Sequence, residues 1–191
     1  MGYKVPVGIS NKHVHLCKAD LEALFGAGAE LHNSKSLVQP GQFAAEEKID
    51  IVGPKNTLKG VRVLGPLRPE TQVELALTDA RVLGLKVPVK MSGDLEGTPG
   101  CTLIGPAGSV ELKQGVIVAK RHIHLTDDQA LEAGVKDGEV VSMRCGSEER
   151  SLVFDNVVCR VGSKHFKECH IDTDEGNAAG LNNNDEIEIL K

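Results

Sequence analysis

The sequence predicts a mainly β protein made of small barrels or sandwiches, and three observations point there. Short runs rich in Val, Ile and Leu recur along the 191 residues. Gly, Pro or Asn punctuates most of them, as strand-and-turn architectures require. Aromatic residues make up only 3% of the chain, with no Trp and one Tyr, so any core must be aliphatic.

In chain order, strands are predicted over 5–10, 48–52, 60–64, 71–77, 85–91, 109–112, 115–119, 139–144, 151–161 and 186–190. Gly53-Pro54, Gly65-Pro66, Gly105-Pro106 and the run Asn182, Asn183, Asn184 mark breaks between them. Three or four short helices fit the remainder. Three carry the same signature: Thr78-Asp79 before Gly84, Thr126-Asp127 before Gly134, and Thr173-Asp174 before Gly180. Thr or Asp caps the N-terminus by accepting a backbone N–H, and Gly takes the left-handed conformation that closes the helix. The last two copies align without a gap from Gly134 and Gly180, which suggests a duplicated strand–helix–strand unit inside a barrel. Chance recurrence of a common cap is the alternative.

A second repeat bears on chemistry. Val7–Leu16 resembles Val116–Leu125: an apolar strand, a basic residue, then His-x-His-Leu. Residues i and i+2 of a strand face the same way. His13 and His15 therefore present two imidazoles side by side, as do His122 and His124. Imidazole is a good ligand for zinc and similar ions. One such pair is equally a pair of core or surface histidines; two pairs in the same context favour metal. A further ligand for each is sought near a strand end that leads into a capped helix. His170 and Glu74 both stand in that position. For Glu74, in an apolar run, a metal competes with an ordinary salt bridge or an exposed strand face. His32 and His165 lack this context and are assigned to the surface.

The net charge of −5 and the absence of aromatic-plus-basic patterning argue against nucleic-acid binding. No apolar run approaches the ~20 residues of a membrane span, and the first residues lack the core of a signal peptide. Five cysteines, an odd number with no C-x-x-C spacing, argue against a disulfide framework or a thiolate zinc site. They read as reduced thiols packed as small hydrophobes, which predicts a cytoplasmic protein. Against the acidic whole, 51–69 holds no acid but contains Lys55, Lys59, Arg62 and Arg68. Arg suits bidentate phosphate recognition, so a phosphorylated ligand near a metal is the functional reading, and Lys59 is read as solvated. Ser92–Gly100 matches no phosphate-loop fingerprint and reads as a long turn.

Taken together, the motifs at 8–16, 65–75, 92–100, 120–125 and 170–179 resemble the PduL-type phosphotransacylases, or phosphate propanoyltransferases, over nearly the whole chain. The resemblance implies reversible transfer of a short acyl group, propanoyl or acetyl, between coenzyme A and inorganic phosphate. It implies two β-barrels with the active site between them: 1–11 plus 120–191, and 12–119 with an inserted segment around 26–46. It implies two divalent metal ions, zinc in most members, held by His13, His15 and Glu74 and by His122, His124 and His170. Arg68 would contact phosphate and serve catalysis. Gly8, Ile9, Ser10, Lys55, Arg62 and Asn177 match coenzyme A-contacting positions. A homodimer follows by analogy. Members targeted to microcompartments carry an N-terminal extension; here the first strand starts near Met1, so a free cytoplasmic enzyme is expected. No G-x-S-x-G nucleophile motif is present, which favours direct attack by phosphate. A metal-dependent thioester hydrolase, or a metal- or CoA-binding module without turnover, are the alternatives.

Overall fold

The computed structural model describes residues 2–190. Its elements in chain order begin with β1 (Tyr3–Ser10), β2 (His13–His15), α1 (Lys18–Phe25), β3 (Asn33–Ser36), β4 (Phe43–Val52), β5 (Thr57–Gly65), β6 (Gln72–Glu74) and α2 (Leu77–Leu83). There follow β7 (Val89–Lys90), β8 (Thr102–Ile104), β9 (Ser109–Glu111), β10 (Val116–Ala119), β11 (His122–Leu125) and α3 (Asp127–Ala133). The chain ends with β12 (Val140–Cys145), β13 (Leu152–Val161), β14 (Glu168–Asp172), α4 (Thr173–Ala179) and β15 (Glu186–Leu190).

The chain divides into two compact units. One comprises Met1–Asn11, Val38–Pro40 and Lys120–Lys191, the other Lys12–Leu37 and Gly41–Ala119. Positions 1 and 191, the outer bounds of the first expected domain, lie outside the described residues.

In the first unit a closed barrel runs β1-β14-β11-β13-β12-β15. Its first strand is parallel to β14 and antiparallel to β15, so the N-terminal segment completes a barrel otherwise made from the C-terminal part. Alternation explains the core. Val5 and Val7 of β1, Ile187 and Ile189 of β15, and Met143 of β12 are buried, with Ile123 and Leu125 of β11 beside them.

In the second unit the sheet order is β7-β10-β6-β2-β5-β4-β8-β9, with β3 on β4, curled as a half-barrel rather than closed. Val61 and Val63 of β5 and Ile49 and Ile51 of β4 point into its core, joined by Leu21 and Leu24 of α1 and Leu83 of α2. Each such aliphatic side chain stabilises the fold by roughly 1.5–3 kcal/mol on full burial. The mainly β prediction and the aliphatic cores agree with these two sheets.

Several local expectations are corrected. The strand expected over 71–77 is β6 alone, Gln72–Glu74, because the chain turns into α2 at Leu77. That helix has Ala76 as its N-cap with no side-chain bond, and Thr78 sits inside it. The strand expected over 85–91 shrinks to Val89–Lys90. At the last helix the cap is Asp172 rather than Thr173: Asp172 and Glu175 form a reciprocal capping box. Thr126 does cap α3, in a box with Gln129. Gly84, Gly134 and Gly180 all close their helices in the left-handed region. Helix α1 was not anticipated, nor were β3 and β8.

Candidate functional site

The first candidate centre lies in the second unit. β2 is a central strand, antiparallel to β6 and parallel to β5. His13 and His15 face the same way, their ring centroids 5.1 Å apart and nearly perpendicular. Directly across from His13 on β6 stands Glu74. Its Oε2 lies 3.3 Å from His13 Nε2, and its Oε1 lies 3.7 Å from His15 Nε2. Potential ligand atoms of the three residues fall within 4.8 Å of one another. Burial alone would raise the Glu74 pKa, but His13, with Arg68 beside it, holds it well below the usual carboxylate range. Burial lowers His15 to about 3, helped by His13 and Arg68, so its imidazole is neutral and has a lone pair to offer at neutral pH. His15 Nδ1 is buried with no hydrogen-bond partner. A buried, neutral, unsatisfied imidazole beside an ionised carboxylate fits a divalent metal.

The second centre, in the barrel, is built the same way. His122 and His124 of β11 share a face, with centroids 4.8 Å apart. Directly across from His122 on antiparallel β14 is His170, its ring stacked on that of His122 at 5.1 Å. Their candidate ligand atoms also fall within 4.8 Å. His122 Nδ1 lies 2.8 Å from the Lys120 carbonyl, which fixes the tautomer and leaves Nε2 for a ligand. Burial, then His122 and His170, lowers His124 to about 2. His124 Nδ1 is buried and lacks a hydrogen-bond partner, and the buried His170 Nε2 has only the Glu168 carboxylate, 2.9 Å away. The His124 imidazole is thereby held neutral, as metal ligation requires.

Both centres therefore obey one rule: a His-x-His strand, plus a third side chain directly opposite its first His on the antiparallel neighbour. The basic residue before each His-x-His completes the unit. Lys12 Nζ reaches Asp79 Oδ1 at 2.9 Å, and Arg121 Nε reaches Glu175 Oε1 at 3.3 Å. Each acid is the third residue of the helix that follows the third-ligand strand. The ion pairs thus tie that helix to the His-x-His strand.

Arg68 joins the first centre. Its backbone N–H donates to the Leu16 carbonyl at 2.9 Å, and its Nη1 stands 4.0 Å from Glu74 Oε1. Between them lies Ser92. Its hydroxyl accepts from Arg68 Nη1 and from Gln72 Nε2, both at 2.9 Å, and donates to Glu74 Oε1 at 3.1 Å. Gln72, fully buried, also donates to Glu74 Oε1 at 2.5 Å and accepts from the Gly93 N–H at 2.8 Å. The segment opening with Ser92, read from sequence only as a turn, thus delivers a hydroxyl that links the arginine to the carboxylate.

The coenzyme A-matched positions fall in both units. Gly8, Ile9 and Ser10 end β1, and Ile9 N–H donates to Asn183 Oδ1 at 2.7 Å. Asn177 is exposed on α4, next to Gly176, which packs on Ile9. Arg62 leaves β5 opposite the buried Val61 and Val63, as a strand's alternation dictates, and donates to the Ala45 carbonyl at 2.7 Å. Lys55 lies in the β4–β5 turn against Gly84, the C-cap of α2, with its backbone N–H on the Leu83 carbonyl. His32 is exposed and pairs with Glu47 at 2.7 Å. His165, assigned to the surface from sequence, is a correction. Its ring packs edge-on to His124 at 4.5 Å, and its Nδ1 is 3.0 Å from the Arg160 carbonyl.

Four of the five cysteines are buried, and all are free thiols. Burial pushes Cys101 up to about 12 and Cys145 and Cys159 to about 11, so they are inert packing residues. No helix of the described residues is long and apolar enough to cross a membrane.

A family model described as phosphate propanoyltransferase matches residues 6–182. Three curated proteins of that name are similar over most of both chains. The Thermotoga maritima protein is 54% identical over 185 residues, covering 97% of this chain and 88% of its own. The Salmonella arizonae protein is 53% identical over 176 residues, covering 92% and 83%. The Rhodopseudomonas palustris protein is 49% identical over 189 residues, covering 99% and 83%.

Proposed function

The chain belongs to the phosphate propanoyltransferase family, and from that premise we propose how its residues move an acyl group between coenzyme A and phosphate. It is an enzyme, a phosphate acyltransferase. The observation that carries the mechanism is the Arg68–Ser92–Glu74 linkage at the first centre. His13, His15 and Glu74 would hold one divalent ion, and His122, His124 and His170 a second. The donor sets, all imidazole or imidazole plus carboxylate, suit zinc. Bound there, a divalent ion supplies Lewis-acid polarisation and charge stabilisation for the thioester carbonyl and the departing thiolate.

The protein's own groups do the rest. Arg68 binds phosphate as a half-buried guanidinium whose plane is fixed through Nη1 by Ser92. That places a phosphate oxygen for attack on the thioester carbonyl carbon. A carbon–oxygen bond forms to phosphate, the carbon–sulfur bond breaks, and the electron pair leaves with the coenzyme A thiolate. No side-chain nucleophile is needed: Ser92 has its one hydrogen and two acceptor sites engaged, and the buried thiols are held protonated. Gly8, Ile9, Ser10, Lys55, Arg62 and Asn177 are proposed to contact coenzyme A. Arg62 would do so through guanidinium atoms beyond the Nη1 that holds Ala45. Propanoyl and acetyl groups both fall within the proposed substrate class. The five free thiols suit a reducing compartment, and we place the enzyme in the cytoplasm.

Thiol release from propanoyl-CoA and acetyl-CoA, measured with and without phosphate, tests this reading. Release that requires phosphate and yields acyl phosphate in equal amount is expected. Release at the same rate without phosphate would make the enzyme a hydrolase and remove the role given to Arg68.

A further inference from the structure

The two centres share more than their ligands. Two residues before each third ligand, on the same face of the same strand, sits a buried polar side chain: Gln72 before Glu74, and Glu168 before His170. Each is also the residue directly across from the second His of its pair, Gln72 opposite His15 and Glu168 opposite His124. The equivalence is therefore one of register as well as spacing.

The chemistry at these equivalent positions is inverted to suit the ligand. Glu74 is an acceptor, and its neighbour Gln72 gives it an amide N–H at 2.5 Å. His170 carries a ring N–H, and its neighbour Glu168 brings a carboxylate oxygen to 2.9 Å from Nε2. Apart from this carboxylate, the buried Nε2 has no partner. Glu168 is 9% exposed, and its other protein donor is distant: Gln39 Nε2 at 3.4 Å. A buried carboxylate so sparsely served is costly unless it has a cationic or strongly polarised partner. The backbone also makes room for it. Gly8 lies across from His170, and a Cβ there would come within 2.7 Å of Glu168 Oε1.

We propose that Gln72 and Glu168 are positioning residues, each orienting the third ligand of its centre with the complementary hydrogen-bonding group. In the second centre Glu168 takes the Nε2–H of His170, which fixes the tautomer and leaves Nδ1 as the ligating atom. A carboxylate behind a ligating imidazole also raises its basicity and so its hold on a cation. This rests on the reading that both centres hold metal.

The test uses cobalt(II) as the probe, with affinities from chelator competition and the absorption spectrum of the loaded protein. Glu168→Gln keeps the side-chain size and removes the charge. One of the two cobalt affinities should fall about 10–100-fold with a changed spectrum, while the His13 centre keeps its wild-type affinity and serves as the folding control. Glu168→Asp should recover part of the loss. In a His170→Ala background, Glu168→Gln should have no further effect, since the two act as one unit. Wild-type affinities and spectra in Glu168→Gln would overturn the proposal. So would an undiminished effect in the His170→Ala background, which would make Glu168 act without His170. Failure of the wild-type protein to take up cobalt would instead sink the metal reading itself.

Discussion

Ser92 has one hydrogen to give and two lone pairs to receive with, and the structure engages all three, with Glu74, Arg68 and Gln72. Removing that hydroxyl frees the arginine and takes a hydrogen bond from a buried carboxylate. Hydrogen bonds to charged groups contribute about 1.5–3 kcal/mol, roughly 10–100-fold in an equilibrium constant. Ser92→Ala should therefore raise the phosphate KM by about that factor while the KM for acyl-CoA changes little. Initial rates against phosphate concentration check it, and an unchanged phosphate KM would remove Ser92 from the network. Sequence reading found the histidines because a strand's period of two is visible in four consecutive letters. It missed Ser92, Gln72, Glu168 and His165 because their partners are set by tertiary packing, as when Gly93 turns the chain onto Gln72. A signal was present in hindsight: Gln72 and Glu168 each precede a predicted third ligand by two.

At the scale of elements, the capped helices were legible where a side chain does the capping. Thr126 binds the Gln129 N–H, and Gln129 binds back, leaving both donors satisfied at the start of α3. Replacing Thr126 by Ala should cost about 1 kcal/mol of stability, read as a shift of the denaturation midpoint; no shift would mean the box contributes nothing in this context. Helices α1 and α2 start at Cys17 and Ala76, neither of which makes a side-chain cap bond. That is why α1 was missed and α2 was started late at Thr78. The short β6 was overextended for a related reason. Leu75 is buried in the same core as the strand and Ala76 is buried too, and hydrophobicity does not distinguish strand from the first turn of a helix there.

For the molecule as a whole, the same imidazoles that suit a metal make the metal-free protein sensitive to acid. An unfolded His takes up a proton near pH 6.5, whereas folded His15 and His124 resist it down to about 3 and about 2. The unfolded state thus binds more protons below pH 6.5, and stability falls as pH falls. The slope is up to ~1.4 kcal/mol per pH unit for each histidine. Glu74, with its pKa lowered in the fold, adds a loss of the same sign once pH drops below its ordinary value near 4.5. Chemical denaturation of chelator-treated protein from pH 7.5 to about 5 should show this decline, and a flat profile would contradict it. The duplicated His-x-His motif suggested two related halves, and the structure has two sheets, each with its own aliphatic core and its own group of three candidate ligands. The closure of one sheet and the opening of the other were not legible, because they depend on which strand edges pair.

The central claim is that each His-x-His strand and the residue facing it make a metal centre the acyl transfer requires. Elemental analysis of purified, dialysed protein alongside His13→Ala and His124→Ala tests it most directly. The account predicts about two metal equivalents per chain in the wild type, one for each three-residue group, and about one in each variant, with phosphate-dependent thiol release lost in both. Wild-type metal content in either variant, or full activity in a metal-depleted one, would contradict it.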